Sequence, residues 1–196
     1  MITDSKRFSN TIQAFDKANA QDPFTMMIDG KPYPKEVIYS KRMSEWLLKS
    51  YPNASEALQL ATRCQHIGRW LLPRSEYPQG RVGYIKWRNA LKEIHASKAE
   101  EIMDSFGYEK EIIDRVKFLV RKKNLKKDQE TQALEDVICL VFLEFYFDDF
   151  ASKHDEPKII DIVKKTWVKM SAEGQELVST IEFSDSSATL LKKALA

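Results

Sequence analysis

Apolar residues recur along most of the chain at helical spacing, and no stretch sustains the period-two alternation of a half-buried strand. Phe8, Ile12 and Phe15 mark a helix over 4–19, and Ile38, Met43, Trp46 and Leu47 mark one over 35–50 that ends before Tyr51 and Pro52. Ala57, Leu60, Ala61, Cys64, Ile67, Gly68 and Leu71 form one stripe over 54–72, closed by Pro73. After the loop PRSEYPQGR, a helix over about 83–106 turns Trp87, Leu91, Ile94, Ala99 and Ile102 inward, with Gly107 as its C-terminal cap. Ile112, Ile113, Val116, Leu119 and Val120 define 109–122, and the basic run RKKNLKKD follows as a solvated helix end. The segment 129–151 contains VICLVFLEFYF, apolar nearly all round, and so belongs at the centre of a bundle. Ile159, Ile162, Val163 and Trp167 define 157–170; beyond about 171 the chain reads as short peripheral turns with a Ser/Asp cap before Leu190. Asp29 to Pro32 reads as a turn joining two very short strands. The pattern therefore predicts an all-α, single-domain helical bundle over 1–196, about seven helices around the central 129–151.

Composition agrees with a folded chain. It has 196 residues, 43% of them apolar, which is enough to bury a core without a disulfide or metal staple. Thirty-one basic against 29 acidic residues leave a net charge of +2, which excludes a polycation that binds chiefly by counterion release. Cys64 and Cys139 both sit in apolar helical patterns, the signature of reduced core thiols. No apolar run reaches membrane-spanning length and the N-terminus carries no secretory pattern, so the expected location is the cytoplasm.

The charge is unevenly distributed. Arg63, Arg69, Arg74, Arg81 and Arg88, with Lys86, face only Glu76 between 63 and 88, a local charge of +5 in a chain of +2. Lysine outnumbers arginine 22 to 9 overall, so arginine in this window points to bidentate binding of carboxylate or phosphate. Within 54–72, Gln59, Arg63, His66 and Trp70 share a second helical face; within 83–106, Tyr84, Arg88, Leu91, His95 and Lys98 do the same. Antiparallel packing would set Arg63 and His66 against Arg88 and His95 across one groove, with Trp70 or Tyr84 free to stack on a ligand base. The competing reading is structural, with arginine stems snorkelling over aromatic rings and pairing on the surface.

Glu135 and Asp136 enter the most apolar segment of the chain, and Asp136 shares a face with Gln132, Cys139 and Leu143. Carboxylates there need a cation or a metal. One reading is a buried ion pair or a carboxylate at a helix start; the other is a two-histidine, one-carboxylate metal site of His66, His95 and Asp136. No P-loop, dinucleotide fingerprint, nucleophile elbow or zinc-finger spacing occurs.

The string RCQHIGRW, PR, YP, GR, GY, WR, followed by LEDVICLVFLEFYF and KTWVKMS, closely resembles a bacterial and fungal family of a domain of unknown function, almost end to end. A second resemblance is to HD-domain metal phosphohydrolases: LATRCQHIGRW is similar to their His-Asp helix, HASKAEEIMDSFGY to the later His helix, and ALEDVICL to the Asp-bearing one. That likeness implies an HD-like bundle with a divalent metal on His66, His95 and Asp136. The His-Asp dipeptide itself is absent, so the implied centre is mononuclear or degenerate.

Two functions follow. One is a phosphohydrolase for a nucleotide-like small molecule, in which Glu135 or Asp136 orients a metal-bound water and Arg63, Arg69, Arg74, Arg81 and Arg88 hold the phosphoryl oxygens. The other is a non-catalytic module that binds a nucleotide, another small anion or RNA.

Overall fold

A computed structural model describes residues 2–196. The fold is all-α apart from one hairpin, and its backbone contacts gather into two compact units, one up to Lys123 and one from Asn124 onward. Helix α1 (Ser5–Asn19) starts where the Asp4 carboxylate accepts from the Lys6 and Arg7 amides. The strands β1 (Thr25–Ile28) and β2 (Lys31–Pro34) pair antiparallel through a two-residue turn in which Asp29 and Gly30 both have positive φ, the twist that a tight hairpin requires. Helix α2 (Lys35–Ser50) follows at once, with Pro34 at its N-cap and no side-chain cap of its own. The cap comes from before the hairpin: buried Asp22 accepts from the Phe24 amide at 2.9 Å and the Glu36 amide at 3.1 Å.

The segment 54–72 is not one helix. Helix α3 (Glu56–Arg63) ends at Arg63, the chain turns through 64–68, and a single 3-10 turn spans Arg69–Leu71. Gly68 has φ +70°, which no continuing right-handed helix accommodates. The shared face of Gln59, Arg63, His66 and Trp70 therefore does not exist. The apolar spacing runs on through the turn because Cys64 and Ile67 are themselves fully buried.

Helix α4 (Gly80–Ser105) begins three residues earlier than its apolar pattern and packs against α5 (Lys110–Val120) as an antiparallel hairpin. Its end is a Schellman motif: Tyr108 N donates to Met103 O at 3.2 Å and Gly107 N to Asp104 O at 3.0 Å, with φ +69° at Gly107. Helix α5 also packs on α3, which packs on α2. Phe15, Met43, Leu60, Leu91, Met103, Val116 and Leu119 fill this core, each burial worth about 1.5–3 kcal/mol.

In the second unit the expected 129–151 helix divides at Tyr146 into α6 (Gln129–Phe145) and α7 (Phe147–Ser152). Most of α6 is buried, in line with its apolar circumference. After α8 (Glu156–Lys169), the segment beyond 171 is more ordered than its sequence suggests: α9 (Ala172–Leu177) packs on α6, and α10 (Asp185–Leu195) lies along α8 with Leu191 and Ala194 buried. Ser184 caps α10, as the Ser/Asp pattern predicts.

Candidate functional site

The turn after α3 places the polar groups that matter. Arg69 N donates to His66 O and Ile67 N to Cys64 O, both at 3.0 Å, so the backbone folds tightly while Cys64 and Ile67 anchor it in the core. His66 and Arg69 leave this anchor together. Gly68 sits so close to α4 that an added Cβ would lie 2.8 Å from Lys98 Cδ. Gly68→Ala combines that crowding with a left-handed backbone, and about 1–2 kcal/mol of lost stability is expected from the backbone alone. Urea unfolding checks the loss, and the histidine NMR shifts should move with it because the turn carries His66.

The two histidines meet as the sequence predicts. Their ring centroids are 5.7 Å apart, with His66 from the turn and His95 from α4. Tyr39 on α2 stacks on the His66 ring at 4.0 Å and 9°, which fixes its plane. His66 Nδ1 lies 3.2 Å from Glu36 Oε2, close but poorly aligned for a hydrogen bond. His95 Nδ1 lies 2.7 Å from the Ile67 carbonyl. A carbonyl only accepts, so Nδ1 carries the proton and Nε2 keeps a bare lone pair. Arg69 lies with its Cζ 5.0 Å from the Trp87 ring centroid, its Nε 3.6 Å from Glu36 Oε1, and its Nη1 buried without a partner.

The electrostatics of the cluster are positive. Burial, reinforced by Arg69, His95, Arg88 and Lys122, holds His66 well below the usual imidazole range. Burial takes His95 down to about 3, and Arg69, Arg88 and Lys122 act in the same direction. Both rings are therefore neutral at pH 7. Burial pushes the Glu36 carboxyl up to about 7 even though Arg69 opposes it, so this carboxyl changes charge near neutrality.

The other residues singled out in the sequence divide into those at this cluster and those used elsewhere. Arg69 and Arg88 belong to it, and Tyr84 stands beside it, half exposed, 5.8 Å from the Trp87 ring. Arg63 does not face the histidines. Its guanidinium forms a two-point pair with Asp16 at 2.7 Å on each arm and reaches Ser44, because the helix ends there and its side chain falls towards α1 and α2. Arg74 is spent on the loop, donating to the Tyr77 and Pro78 carbonyls. Arg81 is exposed in the first turn of α4, and Trp70 is half-buried in the 3-10 turn.

Glu135 and Asp136 belong to α6 in the second unit. Asp136 Oδ1 accepts from Gln132 Nε2 at 2.9 Å and Ser171 N at 2.8 Å, and Oδ2 accepts from Ser171 Oγ at 2.6 Å. It thereby fixes the start of α9, whose Gly174 packs so tightly on this carboxylate that a Cβ would lie 2.6 Å from Asp136 Cγ. Glu135 Oε1 lies 3.9 Å from Lys169 Nζ. The metal triad expected from the sequence draws His66 and His95 from the first unit and Asp136 from the second. Among the described residues no group of three or more His, Cys, Asp or Glu is placed to hold a metal ion. The two imidazoles sit in the field of Arg69, Arg88 and Lys122, which favours an incoming anion.

The family model described as Domain of unknown function (DUF4202) matches residues 9–191, which takes in every residue of this cluster. The chain belongs to the DUF4202 family. No curated protein and no solved structure matches it.

Sequence reasoning missed three residues of this cluster in the DUF4202 chain. Glu36 and Tyr39 lie on α2, where the buried face runs Glu36, Ser40, Met43, Trp46, Leu47. A carboxylate at the head of an apolar stripe is the same signal that drew notice at Asp136, and Glu36 carried it too. Lys122 lies in a lysine-rich run that reads as solvated, and nothing in that composition separates it from its neighbours.

Proposed function

We propose that this DUF4202 chain binds a phosphorylated small molecule of nucleotide type at the cluster formed by Glu36, His66, Arg69, Arg88, His95 and Lys122. The observation that carries the reading is Arg69 Nη1, a buried donor with no partner, set beside two neutral imidazoles in a positive field. A buried guanidinium donor left unmatched costs free energy that an anionic oxygen would recover, and arginine presents the planar fork that phosphate fits. Half-exposed Tyr84 beside Trp87 supplies an aromatic face for a base within the same neighbourhood.

A second reading, hydrolysis of the bound ester, draws support from the Glu36–His66 contact. A carboxyl that changes protonation near pH 7, 3.2 Å from a neutral imidazole, is the pairing that general acid–base catalysis uses to move a proton to a leaving oxygen. An extended RNA track is the less favoured ligand, since the cluster is small and the chain close to neutral.

Isothermal titration calorimetry with inorganic phosphate and with 5′-AMP tests the binding, and phosphorus NMR of the same samples tests turnover. Saturable binding of one equivalent, only mildly weakened between low and moderate salt, is the expected result. A steep salt dependence with preference for RNA, or no binding of either compound, overturns it.

A further inference from the structure

Resting on the phosphoryl-anion reading of the cluster, we propose that Glu36 is a specificity-determining residue of that site, a buried acceptor that admits a phosphoryl group still carrying a proton and rejects an oxyanion that carries none. Two unmatched groups define the ligand. Arg69 Nη1 is a buried donor and Glu36 Oε2 a buried acceptor, and neither makes a hydrogen bond among the described residues. They belong to neighbouring side chains, with Arg69 Nε 3.6 Å from Glu36 Oε1, so an anion seated on the guanidinium meets the carboxyl as well. A ligand that satisfies only the donor leaves the acceptor desolvated and sets a second negative charge beside it. One that brings an O–H together with an anionic oxygen satisfies both.

The surroundings hold this acceptor in place. The Glu36 amide donates to Asp22 Oδ2 at 3.1 Å, which fixes the backbone at the start of α2 from which the side chain departs. His66 Nδ1 comes within 3.2 Å of Oε2, but Tyr39, stacked on the imidazole at 4.0 Å and 9°, sets the plane of that ring, and the contact stays poorly aligned. Asp22 provides an internal contrast. It is buried too, yet its two oxygens accept from the Phe24 and Glu36 amides, so both are already used within the fold. Phosphate and sulfate share a tetrahedral shape and, at pH 8, a double negative charge. They differ in the one proton that hydrogen phosphate keeps, and a buried carboxylate reads that difference directly. A terminal phosphomonoester, whose last proton leaves in water at a pH of about 6, meets the same requirement by sharing one proton with Glu36.

Calorimetry at pH 8, where the Glu36 carboxyl is mostly ionised, compares inorganic phosphate, sulfate and methyl phosphate on wild type and on Glu36→Gln, with circular dichroism to check folding. Wild type is expected to bind phosphate about tenfold more tightly than sulfate or methyl phosphate, neither of which carries a proton at that pH. Glutamine can donate where the carboxylate only accepts, so Glu36→Gln should bring the three anions within about threefold of one another. If wild type binds sulfate and phosphate alike, or if folded Glu36→Gln keeps the wild-type preference, the role of Glu36 is overturned and the site stands. Methyl phosphate bound as tightly as phosphate also overturns it, since selection would then rest on the phosphorus centre and not on the proton. The wild-type comparison decides the matter even where Glu36→Gln does not fold. If wild type binds none of the three, the underlying reading fails, and this inference with it.

Discussion

Arg69→Gln is expected to weaken phosphate and 5′-AMP binding about 10- to 100-fold, the effect of removing one charge-assisted, two-point contact. The expectation follows from how the side chain is already held. Its face lies against Trp87 and its Nε faces Glu36, so the guanidinium needs little reordering before it meets a ligand. Glutamine keeps some of the length and polarity but loses the positive charge and the fork. Arg63→Gln separates this effect from a general loss of arginine. Arg63 is fully engaged with Asp16 and Ser44, so its replacement should lower stability while leaving phosphate affinity within twofold of wild type. Calorimetry on the two variants side by side checks both statements. Equal loss of affinity in both would mean that the anion is bound by diffuse charge over 63–88 and not by the cluster around His66.

That contrast also marks what was legible in the sequence. The convergence of His66, His95 and Arg88 could be read because α4 is a continuous helix and the loop before it is short, so an antiparallel return was the economical arrangement. The fate of Arg63 could not. Its assignment to the histidine face assumed that a helix ran through 54–72, and the apolar spacing supported that assumption because Cys64 and Ile67 are buried in the turn just as they would be in a helix. Hydrophobic periodicity reports burial and is silent on hydrogen bonding, so a buried turn imitates a helix. Gly68 held the contrary evidence, but a glycine inside an apolar stripe reads as close packing as readily as a left-handed turn. Asp136 exposes a different limit. The sequence correctly marks it as a carboxylate in a buried setting, yet it accepts from Gln132 and Ser171, and spacing along one helix carries no information about a serine 35 residues away.

The largest stability effect is expected on acidification, and Glu36→Gln should make it steeper. Between pH 6.5 and 4.5 the unfolded chain takes up protons on His66 and His95, whose folded pKa values are held far lower by burial and the surrounding cations. Those two groups stabilise the fold above their unfolded pKa and lose that contribution as pH falls. Glu36 works in the opposite sense. Its folded pKa of about 7 lies above the ordinary 4.5, so its contribution is complete below pH 4.5 and is lost as pH rises through 7. Through most of the 4.5–6.5 window the unfolded state holds close to two protons on the histidines and the folded state holds one on Glu36. The net difference of one proton amounts to about 1.4 kcal/mol per pH unit, or about 3 kcal/mol over the window. Replacing Glu36 with glutamine removes the opposing proton, so the variant should lose more stability than wild type over the same range. Urea unfolding at half-unit pH steps reads both profiles, and their difference isolates Glu36 from every other titrating group. Parallel profiles would show that the Glu36–His66 contact holds no proton of its own, and would remove the acid–base pair on which the hydrolytic reading depends.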